Sequence, residues 1–219
     1  MVSLLPDEPE ATGLLALMLL HDARRDARVG PGGDLVLLED QDRSRWDEAA
    51  IAEGRALVQH VLPIRRAGPY LLQAAIAALH DEATDAASTD WTQIAALYRA
   101  LVSLDPSPVV RLNHAVAVAF ADGPTVGLAM IDGLADEGAL SNYPYLDAAR
   151  AELLRRLGRR SEAAAAYRNA LALTANAPER RYLERRLREV GSEVEAEAGP
   201  AAGRGGWAGK RPQARRRPS

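Results

Sequence analysis

Proline stands at the edge of nearly every apolar block in this sequence, and that spacing constrains the fold more than any other feature. A proline inside a helix removes a hydrogen bond and clashes with the preceding turn, whereas at the first helical position it costs nothing. Pro69, Pro108, Pro144 and Pro178 each open a block with helical period, while Pro63 and Pro106 each close one. The pattern predicts helices over about 8–27, 44–62, 70–83, 91–104, 109–121, 125–136, 144–157, 161–174 and 178–190. Ser44 (with Asp47 completing a capping box), Ser107 and Ser161 are the expected N-caps, and Gly158 the residue past a helix end. Leu35-Val36-Leu37-Leu38, between Gly30-Pro31-Gly32-Gly33 and a run of acids, reads as a short extended segment. The fold class expected is all-α, about nine helices paired as antiparallel hairpins.

The apolar residues suit this arrangement. They are mostly Ala, Leu and Val, with 5% aromatics and one Phe, a mixture for closely packed helices rather than a β-sandwich. Leu154, Gly158, Ala163, Tyr167 and Ala170 place small residues where antiparallel helices approach and larger ones where they fill gaps, the tetratricopeptide (TPR) spacing. Tyr98, Leu101 and Pro106 repeat its second half, and Leu15-Ala16 with Leu19 its first half, following Pro6. The unit around 108–136 is degenerate. The expected architecture is therefore a TPR-like solenoid over residues 1–190, capped by a last helix with a charged face. Pro6 reads as the end of a repeat whose preceding helix would lie upstream. The first helix is apolar on more than one face, so a missing helix or a second copy is expected to cover it.

Function classes fall away on composition. Without Cys there are no disulfides, thiolate metal sites or thiol catalysis, and a reducing, cytoplasmic setting is expected. The longest apolar run, Leu14 to Leu20, is seven residues, against about 20 for a membrane span. Residues 1–190 carry 21 bases and 27 acids, whereas 191–219 carry six bases and three acids. The Gly/Ala/Pro/Arg-rich tail, 191–219, is expected to be disordered; its alternative use is non-specific contact with nucleic acid or an acidic surface. No phosphate-binding glycine loop or serine elbow occurs. His21, His60, His80 and His114 form no metal-binding pair. An enzyme using His80 with Asp81 or Glu82 is the weakest reading, and no cofactor is expected.

One polar stretch remains. Glu39, Asp40, Asp42, Arg43, Arg45 and Trp46 fall within eight residues. One reading is a helix start whose acids suit the macrodipole, with Trp46 packed on a neighbour. The other is a partner-binding anchor, since Arg and Trp are enriched in binding hot spots. Asn113, a poor helix former among Val and Ala, is either a partner-backbone contact on a concave face or a buried inter-helix hydrogen bond.

The run Leu37 to Trp46 resembles the TPR-like C-terminal extension of a group of bacterial extracytoplasmic-function (ECF) sigma factors. Leu4 to Glu10, Leu14 to Leu20, Gly68 to His80, Asp90-Trp91 with Ile94 to Tyr98, Ser107 to Val110, Asn113 and Leu157 to Arg159 match that extension in order. His114 stands where Arg is expected after Asn113. The resemblance implies a regulatory, non-catalytic domain in transcription initiation, contacting sigma regions 2 and 4 in cis or in trans and RNA polymerase. Those DNA-reading regions are not in this chain, so no sequence-specific DNA binding is expected of it alone. The alternative is a free-standing TPR-like scaffold for a peptide or protein unrelated to transcription.

Overall fold

The computed structural model describes residues 8–64 and 67–198. Pro6 and residues 199–219, hence most of the expected tail, lie outside them. Among the described residues there are nine α-helices: α1 (Pro9–Asp22), α2 (Glu48–Val61), α3 (Pro69–Glu82), α4 (Trp91–Leu104), α5 (Pro108–Ala121), α6 (Pro124–Asp136), α7 (Pro144–Arg156), α8 (Arg160–Leu173) and α9 (Ala177–Ala198). Extended pairing among them amounts to an isolated antiparallel bridge, Val29 with Leu35. Helix α1 packs on both α2 and α3, and from α2 onward each helix packs on the next through α9. The fold is a solenoid of antiparallel helical hairpins.

Local chemistry sets most helix ends. Asp90 caps α4 by accepting from the Gln93 N–H at 2.9 Å. Gly158 takes φ +72°, a left-handed conformation that glycine adopts without strain. There Gly158 N–H donates to Arg155 O at 3.0 Å and Arg159 N–H to Leu154 O at 2.9 Å, a Schellman ending that turns α7 into α8. Glu10 of α1 caps a different helix. Its carboxylate accepts from the N–H groups of Gly68, Tyr70 and Leu71 at 3.0, 2.9 and 3.1 Å, which satisfies the start of α3.

Several expected boundaries shift. Ser44 does not cap α2. Residues Arg43–Arg45 form a 3₁₀ turn capped by Asp42, which takes both the backbone N–H and the hydroxyl of Ser44 at 3.0 and 2.6 Å. Asp47 is left as the N-cap of α2, accepting from Ala50 N–H at 3.0 Å. Ser107 precedes α5 without a side-chain capping bond, and Ser161 lies inside α8, whose N-cap position is Arg159. The first helix stops at Asp22, followed by a 3₁₀ turn at Arg25–Ala27. Helix α9 continues eight residues beyond the expected end at Val190, through a Glu/Ala-rich stretch with good helix propensity.

The core is assembled from small residues at crossings. Leu154, Ala163, Tyr167 and Ala170, the TPR-spaced set, are all buried in the cluster that α5–α9 share. Tyr167 keeps its hydroxyl satisfied by donating to Glu152 at 3.1 Å. Gly13 of α1 lies against the backbone of Leu71 in α3, where an added Cβ would come within 2.7 Å of Leu71 N and Cα. Gly54 of α2 leaves similar room for Leu20.

Candidate functional site

Between α1 and α2 the chain makes a long excursion with no α-helix, residues 23–47, and its path defines the site. Gly33, at φ +74°, closes a tight turn in which Gly33 N–H donates to Gly30 O and Gly30 N–H to Asp34 O, both at 2.9 Å. Val36 N–H donates to Arg28 O at 3.0 Å. The turn delivers Leu35 to Leu38, all half-buried, across the solenoid as a strap. Leu35 and Leu37 line a groove of about 270 Å³ whose walls are Leu112, Asn113 and Val116 of α5, Tyr145 of α7, and Tyr182 and Leu183 of α9. Arg181 of α9 holds the strap from outside. Its Nε donates to the Asp34 carboxylate and its Nη2 to Gly33 O at 2.8 Å.

A second cavity, of about 240 Å³, lies beside the first on the other flank of the strap. Leu37, Leu38, Glu39 and Arg43 form one wall; His80, Trp91, Phe120, Glu152, Tyr182 and Arg186 form the others. Trp91 and Phe120 stack with ring centroids 4.2 Å apart and 15° between planes, and His80 meets the Trp91 edge at 5.2 Å. The Arg156 guanidinium lies 4.5 Å from the centroid of the Phe120 ring. This is an aromatic ledge with a cation against it, geometry favoured by the ring quadrupole. On the far wall Glu152 accepts from Arg155 at 2.6 and 3.0 Å, and Arg186 approaches it at 3.5 Å. Burial pushes the Glu152 carboxyl upward, but the hydrogen bonds from Arg155 and the nearby Arg186 outweigh it and leave it below the usual range. Burial, then the charges of Arg24 and Arg43, push the His80 imidazole down to about 4, so it is neutral at neutral pH.

The residues singled out in the sequence are distributed among distinct places. Glu39 and Arg43 line the second cavity, and Asn113 is an exposed residue on the wall of the first groove. Arg43 donates to His80 O at 3.1 Å and stacks its guanidinium 4.4 Å over Trp46. Trp46 itself is buried, 7% exposed, in the cluster with Leu20, Ala23 and Ala77. Asp42 is the turn cap described above; the hydrogen bonds from Ser44 hold its carboxyl below the usual range. Arg45 is exposed and bonds the backbone oxygen of Asp26, and Asp40 is exposed in a 3₁₀ turn over Leu38–Asp40.

Asp81 and Glu82 face away from His80 toward other partners. Glu82 pairs with Arg55 at 2.8 Å. Asp81, with no exposed side-chain surface, pairs with Arg24 at 3.5 Å. Burial raises the Asp81 carboxyl to about 6 despite the opposing charges of Arg24 and Arg43. Trp91 stood in the sequence within the matched Asp90-Trp91 motif and Arg186 on the charged last helix, neither as a candidate site residue, and Phe120, Glu152 and Tyr182 were not singled out. These five come from four helices, and no local pattern connects them. The clue available was compositional: Phe120 is the single Phe of a chain poor in aromatics.

On α1, Met18 is 56% exposed, and with Leu15 and Leu19 it lines an open depression rimmed by His21, Asp22 and Arg25. Among the described residues no helix is long and apolar enough to cross a membrane.

Comparison with known proteins adds two similarities. The profile of a family described as a family of unknown function (DUF6596) matches residues 1–62, which include α1, the strap and α2. No solved structure matches the chain. An uncharacterized protein of Rhizobium meliloti (strain 1021) is 46% identical over 193 residues, which is 88% of this chain and 45% of that protein, so the chain spans somewhat under half the length of the curated relative it matches.

Proposed function

We propose that this chain is the regulatory, protein-interaction part of an ECF-type sigma factor. In this reading it acts in transcription initiation by contacting sigma regions 2 and 4, in cis or in trans, and RNA polymerase in the cytoplasm. One observation carries the proposal: three of the motifs that resemble the sigma-factor extension, though far apart in sequence, meet at one cavity. Leu37, Leu38, Glu39 and Arg43 from the first run, His80 from the second and Trp91 from the third line a single cavity, and Asn113 stands in the groove beside it. Aromatic and arginine side chains on a concave helical-repeat surface are the residue types that dominate binding energy at protein interfaces. The Rhizobium relative is consistent with this reading, because more than half of it lies outside the match and leaves room for DNA-reading regions. The apolar face of α1 at Leu15, Met18 and Leu19 is the place for self-association within the same proposal.

The test is run-off transcription from a polymerase carrying a sigma polypeptide that holds regions 2 and 4 alone. Addition of this chain should change initiation severalfold, and Trp91→Ala, which opens the aromatic ledge, should lose most of that effect. Unchanged initiation at saturating chain would instead favour a scaffold unrelated to transcription.

A further inference from the structure

We propose that the strap is an internal stand-in for the partner, and that the groove it crosses takes an extended segment of the same chemistry: leucines at alternate positions followed by acidic residues. The inference rests on the reading of this chain as an interaction module, not on the identity of the transcription machinery.

The strap fills its groove incompletely. Leu35 and Leu37 are half-buried and belong to none of the buried clusters that make the core, and cavities of about 270 and 240 Å³ remain on either side of them. A side chain selected for stability alone would be packed to interior density. Few polar side-chain contacts hold the segment across the groove: Gln41 Nε2 donates to Val36 O at 3.3 Å, and the others lie at the surface. Arg181 grips Asp34 and Gly33 O from half-exposed positions, where water and salt compete. A long connection without α-helix or strand of its own, crossing a concave surface, is also where function concentrates.

The chemistry of the occupant follows from what the strap presents. An extended chain directs alternate side chains to one side, so Leu35 and Leu37 enter the groove together between α5, α7 and α9. Asp34 precedes them and Glu39 and Asp40 follow, while α9 sets Arg181 against Asp34 and Arg186 on the wall of the cavity that Glu39 lines. A partner segment with the same leucine spacing and acidic flanks would satisfy the same apolar positions and the same cations. It would do so without the constraint that both strap ends are tied to α1 and α2. Binding would then require the strap to leave, which makes the partner and the strap mutually exclusive.

The absence of Cys makes a direct test clean. In the variant Asp34→Cys with Arg181→Cys the clasp is removed, and a bifunctional thiol reagent can tie the strap down again. The probe is a fluorescent peptide with the sequence of residues 34–40, compared with one in which both alternate leucines are Ser. The reduced variant is expected to bind the leucine peptide at least about tenfold more tightly than the crosslinked variant does, and more tightly than it binds the serine peptide. Equal binding by the reduced and crosslinked forms, or no binding by a reduced form with native circular dichroism, would overturn the proposal. The unmodified chain supplies a second readout that does not depend on the variant folding. Excess peptide should speed hydrogen exchange at the Gly30 and Val36 amides, which the seated strap protects; unchanged exchange at saturating peptide would also overturn it. Peptide binding without any effect on transcription would retain this groove and discard the sigma-factor reading, so the two fail separately.

Discussion

Replacing Gly13 by Ala puts one methyl group into the closest helix crossing of the N-terminal half. The added carbon would lie 2.7 Å from Leu71 N and from Leu71 Cα, and 3.0 Å from Leu71 Cβ. The obstructing atoms are backbone, so no rotamer change relieves the contact, and α1 and α3 must part by roughly 1 Å to restore ordinary separation. Parting exposes or loosens Ala16, Leu71 and Ala74, which are fully buried. A gap of about 1 Å forfeits a quarter to a half of each dispersion contact, and overpacking of this kind costs about 1–3 kcal/mol or more. Alanine returns about 1 kcal/mol through helix propensity. The net expectation is a loss of about 1–2 kcal/mol, toward the upper end because the obstructing atoms are backbone, or a fall of about 2–8 °C in Tm for a chain of this size. Gly133, inside α6 with nothing near its Cβ position, is the internal control. Gly133→Ala keeps the propensity gain without the clash and should be neutral or stabilising by up to about 1 kcal/mol. Urea unfolding followed by far-UV circular dichroism measures both. If Gly13→Ala is as stable as Gly133→Ala, the close α1–α3 crossing is wrong.

Glu10→Ala removes the acceptor for three N–H groups at the start of α3 and should cost about 1–3 kcal/mol; faster hydrogen exchange at the Tyr70 and Leu71 amides would locate the loss there. Trp46→Ala should cost about 3–5 kcal/mol because the ring is buried in the core, while Arg45→Ala, on an exposed side chain, should stay within about 0.5 kcal/mol in thermal unfolding. Asp81 gives a pH dependence of unusual sign. Its folded value is raised to about 6 from an ordinary 3.8, so between those values the folded chain holds a proton that the unfolded chain has released. Stability should therefore rise, relative to Asp81→Asn, as pH falls from 7 through 6 toward 4, by on the order of 2–3 kcal/mol. A relative fall over that range in urea titrations would contradict the dominance of burial over the Arg24 charge at Asp81.

Helix positions were legible because the signals that end a helix are local. Pro69, Pro108 and Pro144 each open the helix predicted for them, and the block 91–104 matches α4 to the residue. Choosing among nearby caps was less legible. Ser44 and Asp47 are both competent, and the choice went to Asp47 only because Asp42 draws residues 43–45 into their own turn. The site was legible in fragments. Glu39, Arg43 and Asn113 could be picked out by residue type. What they face could not, because Phe120, Glu152 and Tyr182 reach the strap only through the curvature of the whole solenoid. Leu35 shows the same limit: its extended conformation follows from the glycines before it, but its burial depends on helices that begin more than 70 residues later.

The central claim, that this chain is an interaction module for the transcription initiation machinery, is tested most directly by sedimentation velocity of the full chain with RNA polymerase and with a fragment holding sigma regions 2 and 4. The account predicts a saturable complex at micromolar concentrations that Trp91→Ala weakens by about tenfold or more. Independent sedimentation of the folded chain from both partners at those concentrations would contradict it.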